Sequence, residues 1–240
     1  MKRLLCACAL AAALLCGWAW AEEATEGLPE RLILVNKTHS LDQDYVPDDL
    51  VVPDVLFKDG IGETANQMSE PAARALERLF AAAKEDGITL VGMSGYRSYW
   101  TQAWIYETRL KEAGLEHVSK YNAQPGQSEH QTGLAMDVSS PDCMVLETRF
   151  DQTDAFAWLS EHCADFGFII RYRKGLEEET GYAYEPWHLR YVGERAREIM
   201  DSGVSLEAYL SVRRPAPQKE RALDPDGPQP VCVQSIQVPQ

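Results

Sequence analysis

Two short segments hold most of the residues in this chain that could do chemistry. The first is Ser128-Glu129-His130-Gln131-Thr132-Gly133-Leu134-Ala135-Met136-Asp137, and the second, about fifty residues later, is Glu185-Pro186-Trp187-His188. From them the chemistry can draw two imidazoles, an aspartate and a spare glutamate, Glu185. Two histidines and one carboxylate make a three-ligand zinc site with a position left open, and the remaining carboxylate is then free to act as a base. Gly133 permits a tight turn between His130 and the run that carries Asp137, so a loop histidine folds back beside a strand carboxylate. Pro186 fixes its own φ and pushes Glu185 toward an extended conformation, which holds that carboxylate near a metal without forcing it into contact. Hydrolysis at such a centre also needs a polarised carbonyl, which a fixed positive group can assist. Arg97, on a turn leaving a strand, is the candidate, although taken alone it reads equally well as a surface ion pair.

These groups need elements to position them. Ser69 caps a helix with Pro71 in its first turn; Ala72, Leu76, Leu79, Phe80 and Ala83 share one face, and Gly87 ends it. Ile88 to Met93 reads as a buried strand, and Ser94 to Ser98 as a turn into a second helix over roughly 98–113, closed by Gly114. Residues 115–128 read as a polar loop. Leu134 to Ser139 alternates as a strand. Thr153 starts a third helix with Phe156, Leu159, Cys163 and Phe166 inward and Gly167 at its end. Phe168 to Tyr172 and Trp187 to Val192 read as strands, with a short helix over 194–200, and Leu32 to Asn36 as a further short strand. Strands separated by unequal loops and helices argue for an α+β fold, a small antiparallel sheet with helices packed on it.

The 240 residues suit one domain with appendages, and a hydrophobic fraction of 45% supports a core. A formal net charge of −14 argues against nucleic acid or anionic lipid as partners. The N-terminus has the parts of a cleaved export signal over residues 1–21. Lys2 and Arg3 are followed by an apolar run from Leu4 to Trp20 and then by Ala19-Trp20-Ala21. Cleavage would leave no membrane span and would place the protein in a periplasmic, cell-wall or extracellular setting. It would also remove three of the six cysteines, leaving Cys143, Cys163 and Cys232. In an oxidising compartment Cys143 and Cys163 are the nearest pair for a disulfide, with two buried thiols, or a pairing of Cys232 with either, as the alternatives. Residues 22–212 then form the working domain and 213–240 a Pro-rich, flexible tail.

The chain resembles the VanY-type D-alanyl-D-alanine carboxypeptidases, zinc peptidases of bacterial cell-wall metabolism. Ser128-x-His130-x-x-Gly133-x-Ala135-x-Asp137 matches one family motif and Glu185-x-Trp187-His188 the other. Leu34 to Lys37, Asp44 to Pro47, Ser94 to Ser98 and Gly181 to Tyr184 agree as well, over roughly residues 32–195. The resemblance implies His130, Asp137 and His188 as ligands of Zn2+, with Glu185 as general base and then acid to the leaving amine. It implies Arg97 at the scissile carbonyl, and Ser128, Gln102 and Tyr96 in the peptide groove. The implied fold is the one shared with VanX-type dipeptidases and the Hedgehog signalling domain. The implied reaction is removal of the terminal D-alanine from peptidoglycan stem peptides. L,D-carboxypeptidase action on tetrapeptide stems and a non-catalytic, zinc-containing peptidoglycan-binding module are the alternatives. Arg173 stands where related sequences often have Pro, which bears on substrate shape. His39, His117 and His162 match no ligand position and read as surface or packing residues.

Overall fold

The computed structural model describes residues 30–60 and 62–213. The expected export signal, most of the expected tail, and Cys232 lie outside the described residues. In chain order the elements are β1 (Leu50–Val51), β2 (Met68–Ser69), α1 (Glu70–Glu85), β3 (Val91–Ser94), α2 (Tyr99–Tyr121) and β4 (Ala135–Ser139). There follow α3 (Asp154–His162), β5 (Phe168–Tyr172), α4 (Glu177–Thr180), β6 (Glu185–Tyr191), α5 (Ala196–Ser202) and α6 (Leu206–Arg213). Four strands form one antiparallel sheet in the order β3-β4-β6-β5, and β1 pairs with β2 separately. This is the expected α+β arrangement.

Strand alternation sorts the residues of the sheet between two tasks. Met136 and Val138 of β4, Phe168 and Ile170 of β5, and Leu189 and Tyr191 of β6 join one core with Leu76 and Leu79 of α1 and Leu159 of α3. Each such side chain contributes about 1.5–3 kcal/mol through burial. The intervening residues, Asp137, Ile169, Arg171, His188 and Arg190, therefore belong to the opposite face. There Ile169 packs with Ile199 of α5 and with Leu206 and Leu210 of α6 in a second core. The polar residues of that same face are left to build a site.

The helices form close to where the sequence places them. The apolar face of α1 is buried, and Pro71 sits in its first turn. Ser69 occupies the cap position, but its hydroxyl donates to Asp49 Oδ2 at 2.6 Å, so the expected side-chain cap is not formed. Thr153 Oγ1 does cap α3, accepting from the Phe156 amide at 3.1 Å. The first part of α2 breaks at Gly114 (φ 78°, ψ 167°), as expected, but helix resumes beyond it to Tyr121, where a loop was expected. The run from Leu32 to Asn36 is not a strand. It follows a 3-10 turn (Glu30–Leu32), and only Asn36 makes a bridge, to His39.

Cys143 and Cys163 are both buried and free, so the expected disulfide between them is not present. The two thiols share one core but make separate contacts. Cys143 Sγ donates to the Val145 carbonyl at 3.5 Å, and burial pushes the Cys163 thiol up to about 12. They pack as small apolar groups, one of the alternatives raised by the sequence. Among the described residues no helix is long and apolar enough to cross a membrane.

Candidate metal centre

The sheet register brings the two motif segments together. Asp137 on β4 lies directly opposite His188 on β6, and Ser94, the last residue of β3, pairs with Asp137 from the other side. His130 arrives from a 3-10 turn (Glu129–Thr132) that ends at Gly133. Gly133 has φ +69°, and a Cβ there would stand 2.9 Å from the Ser69 amide, so both the turn and the close approach require glycine. The pairing of β5 with β6 is irregular between Ile170 and Tyr172, with Tyr172 opposite Glu185. That irregularity lets Glu185 and His188, an odd number of residues apart, both reach the site.

One ligand atom from each of His130, Asp137 and His188 falls within 4.8 Å of the others, and all three residues are buried. His130 Nε2 lies 3.4 Å from Asp137 Oδ2, and His188 Nδ1 lies 3.0 Å from Asp137 Oδ1. The two imidazole rings stand nearly perpendicular. The ring nitrogen of His130 facing away, Nδ1, is 2.7 Å from the Gly95 carbonyl, which accepts its proton. That bond leaves Nε2 as the bare nitrogen turned toward Asp137. Two nitrogen donors and one carboxylate oxygen, with the rear of His130 already tied, suit a zinc ion with an open position.

Burial and neighbours set the charges. Burial pulls the His130 imidazole below its usual range, and the nearby Arg97 adds to this, favouring the neutral form a ligand needs. Burial also opposes charge on His188, yet hydrogen bonds to Asp137 and Glu129 raise it to about 9. Asp137 sits well below the usual carboxylate range; burial works against this, and the His130 and His188 rings outweigh it. Glu185 moves the other way, with burial pushing it up to about 7. Its Oε2 is 3.9 Å from His188 Nδ1. A carboxyl group poised near neutrality beside a metal centre is matched to taking and returning protons.

Arg97 lies beside this group. Its Nη1 donates to Gln102 Oε1 at 2.9 Å and its Nη2 to Ser94 Oγ at 3.2 Å, with Asp137 Oδ2 at 3.7 Å. Arg97 and Ser128 line a cavity of about 640 Å³ with the three ligand candidates and Glu185 on its floor. Gln102 also borders it but is buried, and both ends of its amide are committed, the nitrogen to the Ala123 carbonyl at 2.7 Å. It therefore holds Arg97 rather than offering itself to a peptide. Tyr96 is a correction: it is buried, and its side chain is not among those lining the cavity. Arg173 turns away from the cavity to the carbonyls of Met200 and Val204.

Sequence reasoning missed several residues of the site. His117 and Tyr121, on the helical turns beyond Gly114, line the cavity with rings 4.7 Å apart. The Tyr172 ring lies 4.9 Å from that of His188. Glu129 also borders the cavity, its side chain fully buried against His188 Nε2 among charges that come from far along the chain. No spacing signal pointed to it; its position next to His130 was the only hint.

Comparison with known proteins follows the same lines. Residues 65–194 match the family described as VanY: D-alanyl-D-alanine carboxypeptidase. A relative from Bacillus subtilis (strain 168), the putative carboxypeptidase YodJ, is 43% identical over 185 residues, which are 76% of this chain and 68% of that protein. The solved LdcB LD-carboxypeptidase is 43% identical with a TM-score of 0.72, covering 76% of this chain and 87% of that one. A variant of the vancomycin-resistance D,D-pentapeptidase VanY, solved in complex with Zn(II), is 32% identical with a TM-score of 0.62, covering 75% and 99%.

Proposed function

The chain belongs to the VanY family of D-alanyl-D-alanine carboxypeptidases, and from that premise we propose that it removes the C-terminal D-alanine from peptidoglycan stem peptides in a zinc-dependent reaction. The observation that carries this reading is the convergence of His130, Asp137 and His188 within 4.8 Å on the floor of a cavity that also holds Glu185. His130 would bind the metal through Nε2, His188 through Nδ1 and Asp137 through its carboxylate. A zinc ion there supplies Lewis acidity and lowers the pKa of a bound water.

The protein's own groups do the rest. Glu185, raised to about 7 by burial, takes the proton of the attacking water and returns it to the amine that leaves as D-alanine. Arg97, fixed by Gln102 and Ser94, presents its guanidinium to the carbonyl oxygen as negative charge develops there. Because these bonds pre-orient it, little reorganisation is needed when the charge forms. Ser128, His117 and Tyr121 line the groove that would receive the rest of the peptide. A carboxyl held near neutrality beside an open metal position has no use in a purely binding module, which argues against the non-catalytic alternative.

Peptidoglycan lies outside the cytoplasmic membrane, so this activity requires export. Lys2, Arg3, the apolar run after them and Ala19-Trp20-Ala21 support that. A second reading, L,D-carboxypeptidase action on tetrapeptide stems, is favoured by one observation. Identity and TM-score are both higher to the LD-carboxypeptidase LdcB than to the D,D-pentapeptidase VanY. Offering defined pentapeptide and tetrapeptide stems to the zinc-loaded protein and weighing the products tests both. Loss of one residue from the pentapeptide is expected, and cleavage of the tetrapeptide alone would move the assignment to the second reading.

A further inference from the structure

We propose that Glu129 is a positioning residue for His188, fixing which imidazole nitrogen is offered to the metal. The inference rests on the zinc-site reading and extends it behind the ligands. Glu129 is completely buried, a costly place for a carboxylate unless every lone pair is used. Its Oε1 accepts from Arg171 Nε at 2.8 Å and from Arg190 Nη1 at 2.7 Å. Those two guanidinium groups are themselves pinned. Arg171 makes a two-pronged pair with Glu207 of α6, and Arg190 donates to the carbonyls of Arg31 and Ile33. A carboxylate held this way on one oxygen has little freedom to turn.

The other oxygen settles what the arrangement does. Oε2 of Glu129 lies 3.4 Å from His188 Nε2. Two arginines would satisfy the charge of a merely structural carboxylate, with no need for its second oxygen to face an imidazole. As placed, it accepts from His188 Nε2 while Nδ1 faces Asp137 Oδ1 at 3.0 Å, so a metal taking Nδ1 would displace the proton on that side and leave the Nε2 proton to Glu129. The two histidines are thus held from behind by different means, His130 by the Gly95 carbonyl and His188 by a carboxylate. Since Glu129 and His130 are adjacent in one 3-10 turn, that turn sets both ligands at once. A carboxylate behind a ligating histidine fixes its tautomer and raises its basicity, and losing one typically costs 10- to 100-fold in metal affinity.

The test uses Glu129→Gln and Glu129→Asp in the full chain. Circular dichroism and thermal melts of the metal-free proteins establish folding, chelator competition gives zinc affinity, and Co2+ substitution gives the absorption spectrum of the site. The expected result is a folded variant whose zinc affinity falls by about 10- to 100-fold and whose Co2+ spectrum shifts. If Glu129→Gln does not fold, Glu129→Asp, which keeps a charge between the arginines but withdraws the carboxylate from His188, bears the test alone. A folded variant with a lower melting temperature but unchanged zinc affinity and Co2+ spectrum would overturn the proposal, because that is the signature of a structural ion pair. If the unaltered protein itself bound no zinc, the zinc reading would fail first, and the two failures are told apart by that control.

Discussion

At the residue scale, four side chains divide into two roles by their surroundings. Asp137 is held below the usual range by the two rings and stays charged, whereas burial raises Glu185 to about 7, which suits the proton exchange proposed for it. Replacing Glu185 with Gln should leave zinc content unchanged and lower kcat by about 10²- to 10⁴-fold; metal analysis and steady-state kinetics check both halves. A base must be deprotonated to work, so kcat/KM should rise with pH through the Glu185 titration. A bound dication only lowers that pKa, so the midpoint of the acid limb should fall no higher than about 7. A pH–rate profile with its acid limb well above this would contradict the role. His130, Asp137, His188 and Glu185 stood out because they fall in two short segments that match the family motifs; the spacing of His130 and Asp137 alone was weak, and the sheet register brings the segments together. Glu129 did not stand out. Its arginine partners lie 42 and 61 residues away, and a charged residue in a sequence reads as a surface group until the fold buries it. Tyr96 and Gln102 were drawn in by nearness to Arg97, which distinguishes neither a core ring nor an orienting amide from a groove contact.

At the element scale, β4 was readable from its alternation, whereas β5, with Phe168 and Ile170 in the main core and Ile169 in the second, was readable only as a short apolar run. The two-residue strands β1 and β2 are too short to show a period. Leu32 and Val35 are buried without forming a strand, since burial alone does not decide between extended chain and turn. The helical turns beyond Gly114 were missed because Val118 is their single buried apolar residue, leaving no apolar stripe to detect. Those turns are nonetheless fixed in place. Lys37 donates to the Ser119 and Gly181 carbonyls, and the Ala183 amide donates to the Lys120 carbonyl at 3.1 Å. Gly114 is the joint, in a backbone conformation that side chains avoid at a cost of about 1–3 kcal/mol. Gly114→Ala should therefore displace the wall carrying His117 and Tyr121. Kinetics should show KM for a stem peptide rising roughly several-fold with kcat little changed, the pattern of binding lost equally in ground and transition states. A fall in kcat at constant KM would place those turns elsewhere in the reaction.

At the scale of the whole molecule, an acidic chain reserves Arg171 and Arg190 for its interior, where they link the second core, α6 and the rear of the metal centre. Stability is expected to come from the two cores rather than from a covalent link, as Cys143 and Cys163 are separate thiols. Without reductant, alkylation followed by peptide mass analysis should leave both unlabelled in the folded protein and label both after denaturation. A cross-linked Cys143–Cys163 peptide would contradict this. The Cys163 thiol is held neutral in the fold. Its contribution to stability should be complete below an unfolded thiol's pKa of about 8.5 and be lost as pH rises toward about 12. Alkaline melts check this sign. The pairing was not decidable from sequence, because nearness along the chain says nothing about the direction of two thiols within one core.

The most direct measurement is the product mass after the zinc-loaded protein meets a defined pentapeptide stem ending in D-alanyl-D-alanine, beside Glu185→Gln carrying the same zinc. Loss of a single terminal D-alanine with the unaltered protein, and an intact peptide with the variant, is the outcome predicted by a metal held at His130, Asp137 and His188 with Glu185 as its base. A folded, zinc-loaded protein that leaves the pentapeptide whole, or a variant that cleaves it as fast, would contradict that assignment.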